Sequence, residues 1–261
     1  MRIVVLTKPV PDPAAGAERL GPDFRLDRAA SPSVVNGNDE YALEAALQLV
    51  DANGGEVVIL SMAPRGATDT MRKALAMGAQ RGVLVTDEAL AGADMPATIS
   101  VLAAAAATEE FDLLLAGLDT SDGQGGVVAA GVAARLGLPL LSTAAAIEPY
   151  AGAGRVRVRR LSAKGYDVIE APMPAVISCT QALGAPRYPS LKGIMAARSR
   201  EIVQKGLADL DGVDAPAGGA WASRVTAAEK PPARAAGRVV TGAAAEAARE
   251  IADFLSGRRL I

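Results

Sequence analysis

With 261 residues and 50% hydrophobic content, the chain has material for a substantial core and reads as one large domain or a domain with an appendage. It has no histidine and one cysteine, Cys179, so a zinc site, a haem ligand pair, an iron–sulfur cluster and a Ser-His-Asp or Cys-His device are excluded within the chain, and any redox chemistry must come from a bound cofactor. A formal net charge of -2 excludes nucleic acid as the main partner, because phosphate binding needs a basic face that dominates the field.

In chain order, Met1-Arg2-Ile3-Val4-Val5-Leu6-Thr7-Lys8-Pro9 carries an apolar run too short for a signal peptide or a membrane span and reads as a first buried strand. A lone cysteine fits a reducing compartment, so the expectation is a bacterial cytoplasmic protein that is not membrane-embedded. Further Val-, Ile- and Leu-rich runs predict strands at Val57–Leu60, Val83–Thr86, Leu113–Ala116 and Ala175–Ser178. Ala-rich segments between them predict helices at about 39–52, 67–77, 95–108 and 126–136. That alternation is the pattern of a parallel sheet with helices on both faces, an α/β fold whose ligands bind at the carboxyl ends of the strands.

The stretch 142–172 departs from this pattern. Ala144–Glu148, Arg155–Leu161 and Tyr166–Glu170 read as short strands with turns at Ala151-Gly152-Ala153-Gly154 and Ala163-Lys164-Gly165, hence a meander laid beside the parallel core. After Lys205 the composition becomes that of a linker, in Asp214-Ala215-Pro216-Ala217-Gly218-Gly219 and Lys230-Pro231-Pro232-Ala233. Ala243–Leu255 then returns as a helix with Ile251 and Leu255 on one face. The expected organisation is a nucleotide-binding core over 1–205, an arm over 206–235 and a C-terminal helix within 236–261 that docks on another subunit.

Two segments carry candidate chemistry. In the first, Leu113–Gly117 leads into Leu118-Asp119-Thr120-Ser121-Asp122-Gly123-Gln124-Gly125-Gly126, a strand, glycine-rich loop and helix start that offers free amides and a positive dipole end to a phosphate. The same pattern serves a tight turn with nothing bound. Neither the G-x-G-x-x-G fingerprint nor a Walker loop is present, which argues against a nicotinamide enzyme. Upstream, Asn36, Gly37, Asn38 and Asp39 suit both helix capping and hydrogen bonds to a base or ribose. The second segment is Ala185-Pro186-Arg187-Tyr188-Pro189-Ser190-Leu191-Lys192-Gly193-Ile194-Met195, a proline-bracketed loop entering a basic helix start. Leu191 there is either an outward anchor within a positive rim or an ordinary core residue; the spacing leaves both open.

This second run resembles the recognition loop of the electron transfer flavoprotein beta subunit, with its Pro-Arg-(Tyr/Phe)-x-(Ser/Thr)-(Leu/Phe)-x-x-Ile-Met pattern, and the similarity extends from the first strand to about Gly212. Met71-Arg72-Lys73-Ala74-Leu75-Ala76-Met77-Gly78-Ala79 is similar to a helix of the same family. The resemblance implies an α/β fold with a mostly parallel, doubly wound sheet like that of the adenine-nucleotide α-hydrolases, an added short β meander and a C-terminal arm plus helix. It implies a carrier without bond-making catalysis of its own. It also implies AMP over the carboxyl ends of the strands, touched by Leu6, Asn36 to Asp39, Met62 and the stretch Gly117 to Gly126, which includes Asp119, Thr120, Ser121, Asp122, Gly123, Gln124 and Gly125. FAD would be held mainly by an alpha subunit in a heterodimer. Arg187, Tyr188, Leu191, Lys192, Ile194 and Met195 would meet acyl-CoA or related dehydrogenases of fatty acid oxidation, and a membrane quinone reductase would accept the electrons.

Two departures stand out. Gly184-Ala185 replaces the Asn-Glu usual before Pro-Arg, and Arg159-Arg160-Leu161-Ser162-Ala163-Lys164 lacks the acids that the family carries after an arginine in the meander. Within the family, a second FAD in place of AMP is the alternative of a bifurcating type. From another class, the alternative is a stand-alone adenine-nucleotide-binding or universal-stress-type protein, which would need a metal-binding carboxylate pair for which Asp119 and Asp122 are the candidates.

Overall fold

A computed structural model describes residues 1–16, 19–150, 154–213, 222–229, 232, 234 and 236–261. The chain divides into two compact units, Met1–Thr226 and Ala227–Ile261. The expected turn at 151–153 and the expected linker stretches at 214–219, 230–231 and 233 lie outside the described residues.

The first unit is built on one nine-stranded sheet. Its strands are β1 (Arg2–Leu6), β4 (Glu56–Met62), β5 (Arg81–Val85), β6 (Leu113–Gly117), β7 (Leu140–Tyr150), β8 (Arg155–Ser162), β9 (Gly165–Pro172), β10 (Ala175–Cys179) and β11 (Ile202–Lys205). Their order is β11-β5-β4-β1-β6-β10-β7-β8-β9. The seven from β11 to β7 run parallel, and β8 and β9 follow antiparallel. A small separate ribbon pairs β2 (Pro9–Pro11) with β3 (Ser33–Val35).

The parallel strands are apolar on both faces because both are covered. Ile3 and Val5 of β1 join Val57 and Ile59 of β4 under α1 (Gly37–Asn53) and α2 (Thr68–Met77). Val4 and Leu6 join Val58 and Leu60 under α3 (Met95–Ala107) and α4 (Val128–Leu136) on the other face. Period-2 side-chain alternation thus feeds two separate cores, the doubly wound arrangement expected from the sequence. The chain moves from β1 through β4 to β5 on one side and then crosses to β6 on the other, so the strand order reverses between β1 and β6. That point, at the carboxyl ends of the two strands, is where open α/β sheets bind ligands in a crevice.

Four elements differ from expectation. The meander is continuous with the sheet rather than laid beside it: β7 starts at Leu140, parallel to β10, and turns antiparallel to β8 further along. The change falls at Thr143, whose backbone has φ 51° and whose amide donates to Ser178 Oγ at 2.9 Å. Strand β11 went unseen because four residues flanked by charges carry little apolar signal, and the prolines of β2 argue against a strand except at an edge. Helix α4 begins at Val128 rather than near Gly126, because Gly126 takes a left-handed φ of 65° that closes the loop before the helix can start. In the second unit, α6 (Ala244–Gly257) occupies the span predicted for the terminal helix.

Candidate nucleotide site and docking loop

The carboxyl ends of β1 and β6 gather most of the residues singled out in the sequence. Gly117 ends β6, and a side chain there would have its Cβ 2.5 Å from Asp39 Oδ1 and 2.7 Å from the Asn38 carbonyl carbon, so only glycine lets the two loops approach. Asn36 is buried and joins them. Its Nδ2 donates to the Asp119 carbonyl at 2.8 Å, and its Oδ1 accepts the Ser121 amide at 3.2 Å. Asn38 adds a bond from Nδ2 to the Asp119 carboxylate. The expected capping role of Asn36 is therefore corrected: it holds the N-cap position of α1 but makes no side-chain cap bond, because its amide group is engaged by the loop opposite. Gly37 opens α1 in an exposed position.

Asp39 lies beneath this junction and accepts the Lys8 amide at 2.7 Å. Burial pushes its carboxyl up to about 7, against hydrogen bonds from Asn36, Lys8 and Gly117 that pull it down. Asp122 has the opposite balance. Burial raises it, but Lys8, Arg28 and Thr120 outweigh that and hold it at about 2. Its side chain is 1% exposed and receives Lys8 Nζ at 2.8 Å and an Arg28 nitrogen at 2.6 Å.

Inside the loop, Thr120 closes a turn by accepting the Gln124 amide at 2.9 Å, and Gln124 takes φ 46°. Ser121, Gly123, Gln124 and Gly126 are exposed. Among the described residues, the amides of Gly125, Gly126 and Val127 have no hydrogen-bond partner, and α4 has no side-chain cap. A Cβ at Gly126 would meet nothing nearer than the Leu118 carbonyl at 4.0 Å. Free amides at a helix start, open space beside them and Lys8 within the crevice fit a phosphate group.

Leu6 and Met62 are at the ends of β1 and β4 as expected, and the Leu6 side chain is buried in the core. Sequence reasoning missed Lys8 and Arg28. A cation two residues past a strand end was a readable signal for Lys8; Arg28, in an irregular stretch, had none. Of the two aspartates that a stand-alone ATP hydrolase would use for a metal, Asp122 is engaged by two cations and Asp119 by Asn38. Cys179, at the end of β10, is buried, and burial followed by the charge of Asp39 drives its thiol far above the ordinary range.

The second candidate segment emerges on the α1 and α2 face. Helix α5 (Leu191–Ala197) is capped by Ser190, whose Oγ accepts the Gly193 amide at 3.0 Å. It is tied to α2 by two arginines: Arg72 donates to the carbonyls of Ala197 and Arg200, and Arg200 to those of Leu75 and Ala79. Leu191 is 77% exposed and Tyr188 94%, with Lys192, Ile194 and Met195 also exposed. Leu191 therefore does not enter the core. Arg187 is not a free member of the rim, because its guanidinium is taken by Glu44 and Asp51. On the meander, Arg160 meets Asp167 across the β8–β9 pair at 2.7 Å.

Comparison with known proteins adds to this geometry. Residues 23–210 match the family model of the electron transfer flavoprotein domain. The chain is 37% identical to the electron transfer flavoprotein subunit beta of Mycobacterium leprae over 99% of each chain. It is 34% identical to the subunit of the same name from Thermoanaerobacterium thermosaccharolyticum over the full length of both. Over 93% of this chain and 92% of the relative, it is 36% identical to the caffeyl-CoA reductase-Etf complex subunit CarD of Acetobacterium woodii.

Proposed function

This chain belongs to the electron transfer flavoprotein family, on its beta-subunit side, and from that membership we propose that it is the small subunit of a heterodimeric carrier that takes electrons from acyl-CoA or related dehydrogenases and delivers them to a membrane quinone reductase. AMP occupies the crevice, with its phosphate at the amides of Gly125, Gly126 and Val127. Its remaining contacts come from the Asn36 to Asp39 loop, the end of β1 and Met62. FAD, bound mainly by the alpha subunit, supplies the redox chemistry when present. This chain's part is to hold the nucleotide loop, complete the flavin-binding partner's surface and present the docking loop.

The observation that carries the reading is the pairing, in one unit, of a phosphate-ready loop at the strand-order reversal with an apolar side chain held out at 77% exposure behind two prolines. Stiffness lowers the entropy lost on docking, and one leucine in a partner pocket contributes ~1–3 kcal/mol. That range suits a carrier that binds, transfers and leaves. The test is stopped-flow bleaching of the heterodimer's flavin by an acyl-CoA dehydrogenase reduced with butyryl-CoA. Leu191→Ala should slow it by about ten-fold, as ~1.4 kcal/mol per decade implies. An unchanged rate in a folded, flavin-loaded variant would remove the docking assignment.

The relative from Acetobacterium woodii, named as a reductase-Etf complex subunit, motivates a second reading, in which a second FAD takes the place of AMP. Mass analysis of what the denatured protein releases separates the two.

A further inference from the structure

Glu44 lies on α1, away from the nucleotide loop, and is nearly sealed from solvent with a side chain 7% exposed. Its Oε2 accepts the Arg187 amide at 3.0 Å and Arg187 Nε at 2.8 Å. Its Oε1 accepts a terminal Arg187 nitrogen at 3.2 Å and Gln48 Nε2 at 2.8 Å. Two turns further along α1, Asp51 accepts the same guanidinium at 3.0 Å. Among the described residues, no backbone-to-backbone hydrogen bond is made between Ala185 and Pro189, and Pro186 and Pro189 have no amide to give. The Arg187 amide on Glu44 is thus the loop's backbone tie to the rest of the unit.

We propose that Glu44 is the positioning residue of the docking loop, clasping Arg187 by backbone and guanidinium at once so that Tyr188 and Leu191 are delivered in one fixed direction. The inference rests on the reading of Leu191 as a docking anchor. A carboxylate so nearly buried is unfavourable unless paired, and here a planar guanidinium fork matches it while a backbone amide takes a further lone pair. The pair holds Glu44 ionised: burial raises its carboxyl, but the bonds from Arg187 and Gln48 and the charge of Arg187 bring it below the ordinary value. Glu44 balances the arginine's charge and Asp51 adds a second carboxylate, so the clasp fixes the loop without adding a cation to its docking face. Helix α5 is held to α2 independently by Arg72 and Arg200, so opening the clasp frees residues 184–190 without melting the helix that follows.

The test compares heterodimers carrying wild-type chain, Glu44→Gln, Leu191→Ala and the reversed pair Glu44→Arg with Arg187→Glu. Two quantities are read: the rate of tryptic cleavage at Arg187–Tyr188, and the kinetics of an acyl-CoA dehydrogenase using the heterodimer as acceptor. Glu44→Gln should speed cleavage by about ten-fold and raise KM for the heterodimer by about ten-fold, with kcat and flavin content nearly unchanged. The reversed pair, which has no arginine at 187 for trypsin to read, should recover part of the KM. If Glu44→Gln does not fold, Arg187→Lys keeps the charge, removes the fork and carries the same expectations. Wild-type cleavage rates in Glu44→Gln overturn the clasp, as does an unchanged KM when Leu191→Ala raises it. If Leu191→Ala leaves KM unchanged, the docking reading is what fails, and the cleavage rate alone then decides the clasp.

Discussion

Two aspartates bound to the same lysine show how environment sets charge. Lys8 gives Asp39 a backbone amide but gives Asp122 its ammonium group, and the two carboxyls settle on opposite sides of the usual range, at about 7 and about 2. The signs of their pH effects follow. Asp122 binds its proton more weakly folded than unfolded, so its contribution is present above about pH 4 and is lost as pH falls toward 2; with Lys8 and Arg28 half-exposed it amounts to about 1–2 kcal/mol. Asp39 binds its proton more tightly when folded, so stability is greatest below about pH 4 and declines as pH rises to 7. In thermal melts, the Tm of Asp39→Asn minus that of wild type should therefore increase from pH 4 to pH 7 and level off above. A difference that is flat across this window would show that Asp39 is ionised throughout. Cys179 gives a simpler check: buried and with its thiol driven upward, it should resist iodoacetamide in the native chain and react once the chain is unfolded.

At the scale of elements, the glycine-rich loop and the docking loop behave differently under substitution. Gly117→Ala should destabilise strongly, by roughly 2–4 kcal/mol, because its Cβ would press on Asp39 and the Asn38 backbone and force the two loops apart. Gly126→Val has open space around it, so its cost comes from the left-handed backbone, and nucleotide content should fall with a smaller loss of Tm. Unchanged nucleotide content in folded Gly126→Val would make the loop only a turn. The parallel core was legible because strands buried on both faces must be apolar throughout, as in Val57–Leu60 and Leu113–Ala116. The end strand β11 and the first half of β7 were not, since neither carries a long apolar run. Within the site, Gly117 and Asn36 were legible by type and position, but the Asn36 contacts to Asp119 and Ser121 bridge 83 and 85 residues, and no local pattern encodes such pairing. Arg187 was legible as a motif residue while its partner Glu44, 143 residues away, was not.

At the scale of the molecule, the two compact units have different characters. The first has cores on both faces of its sheet; the second carries α6, on which Ile251 and Phe254 remain half-exposed, with Leu260 and Ile261 exposed beyond its end. A lone helix of this length is marginal in water. A chain ending at Thr226 should fold and keep its nucleotide but bind the alpha subunit more weakly in sedimentation or calorimetry; equal affinity would show that the second unit does not contribute to the heterodimer. The central claim is that the crevice between β1 and β6 is an AMP site in a subunit whose partner brings the flavin. It is tested most directly by denaturing the chain, purified alone and as the heterodimer, and measuring released AMP and FAD by mass and absorbance. The account predicts AMP near one per chain in both samples and FAD near one per heterodimer only when the alpha subunit is present. FAD retained stoichiometrically by this chain alone, with no AMP, would contradict it.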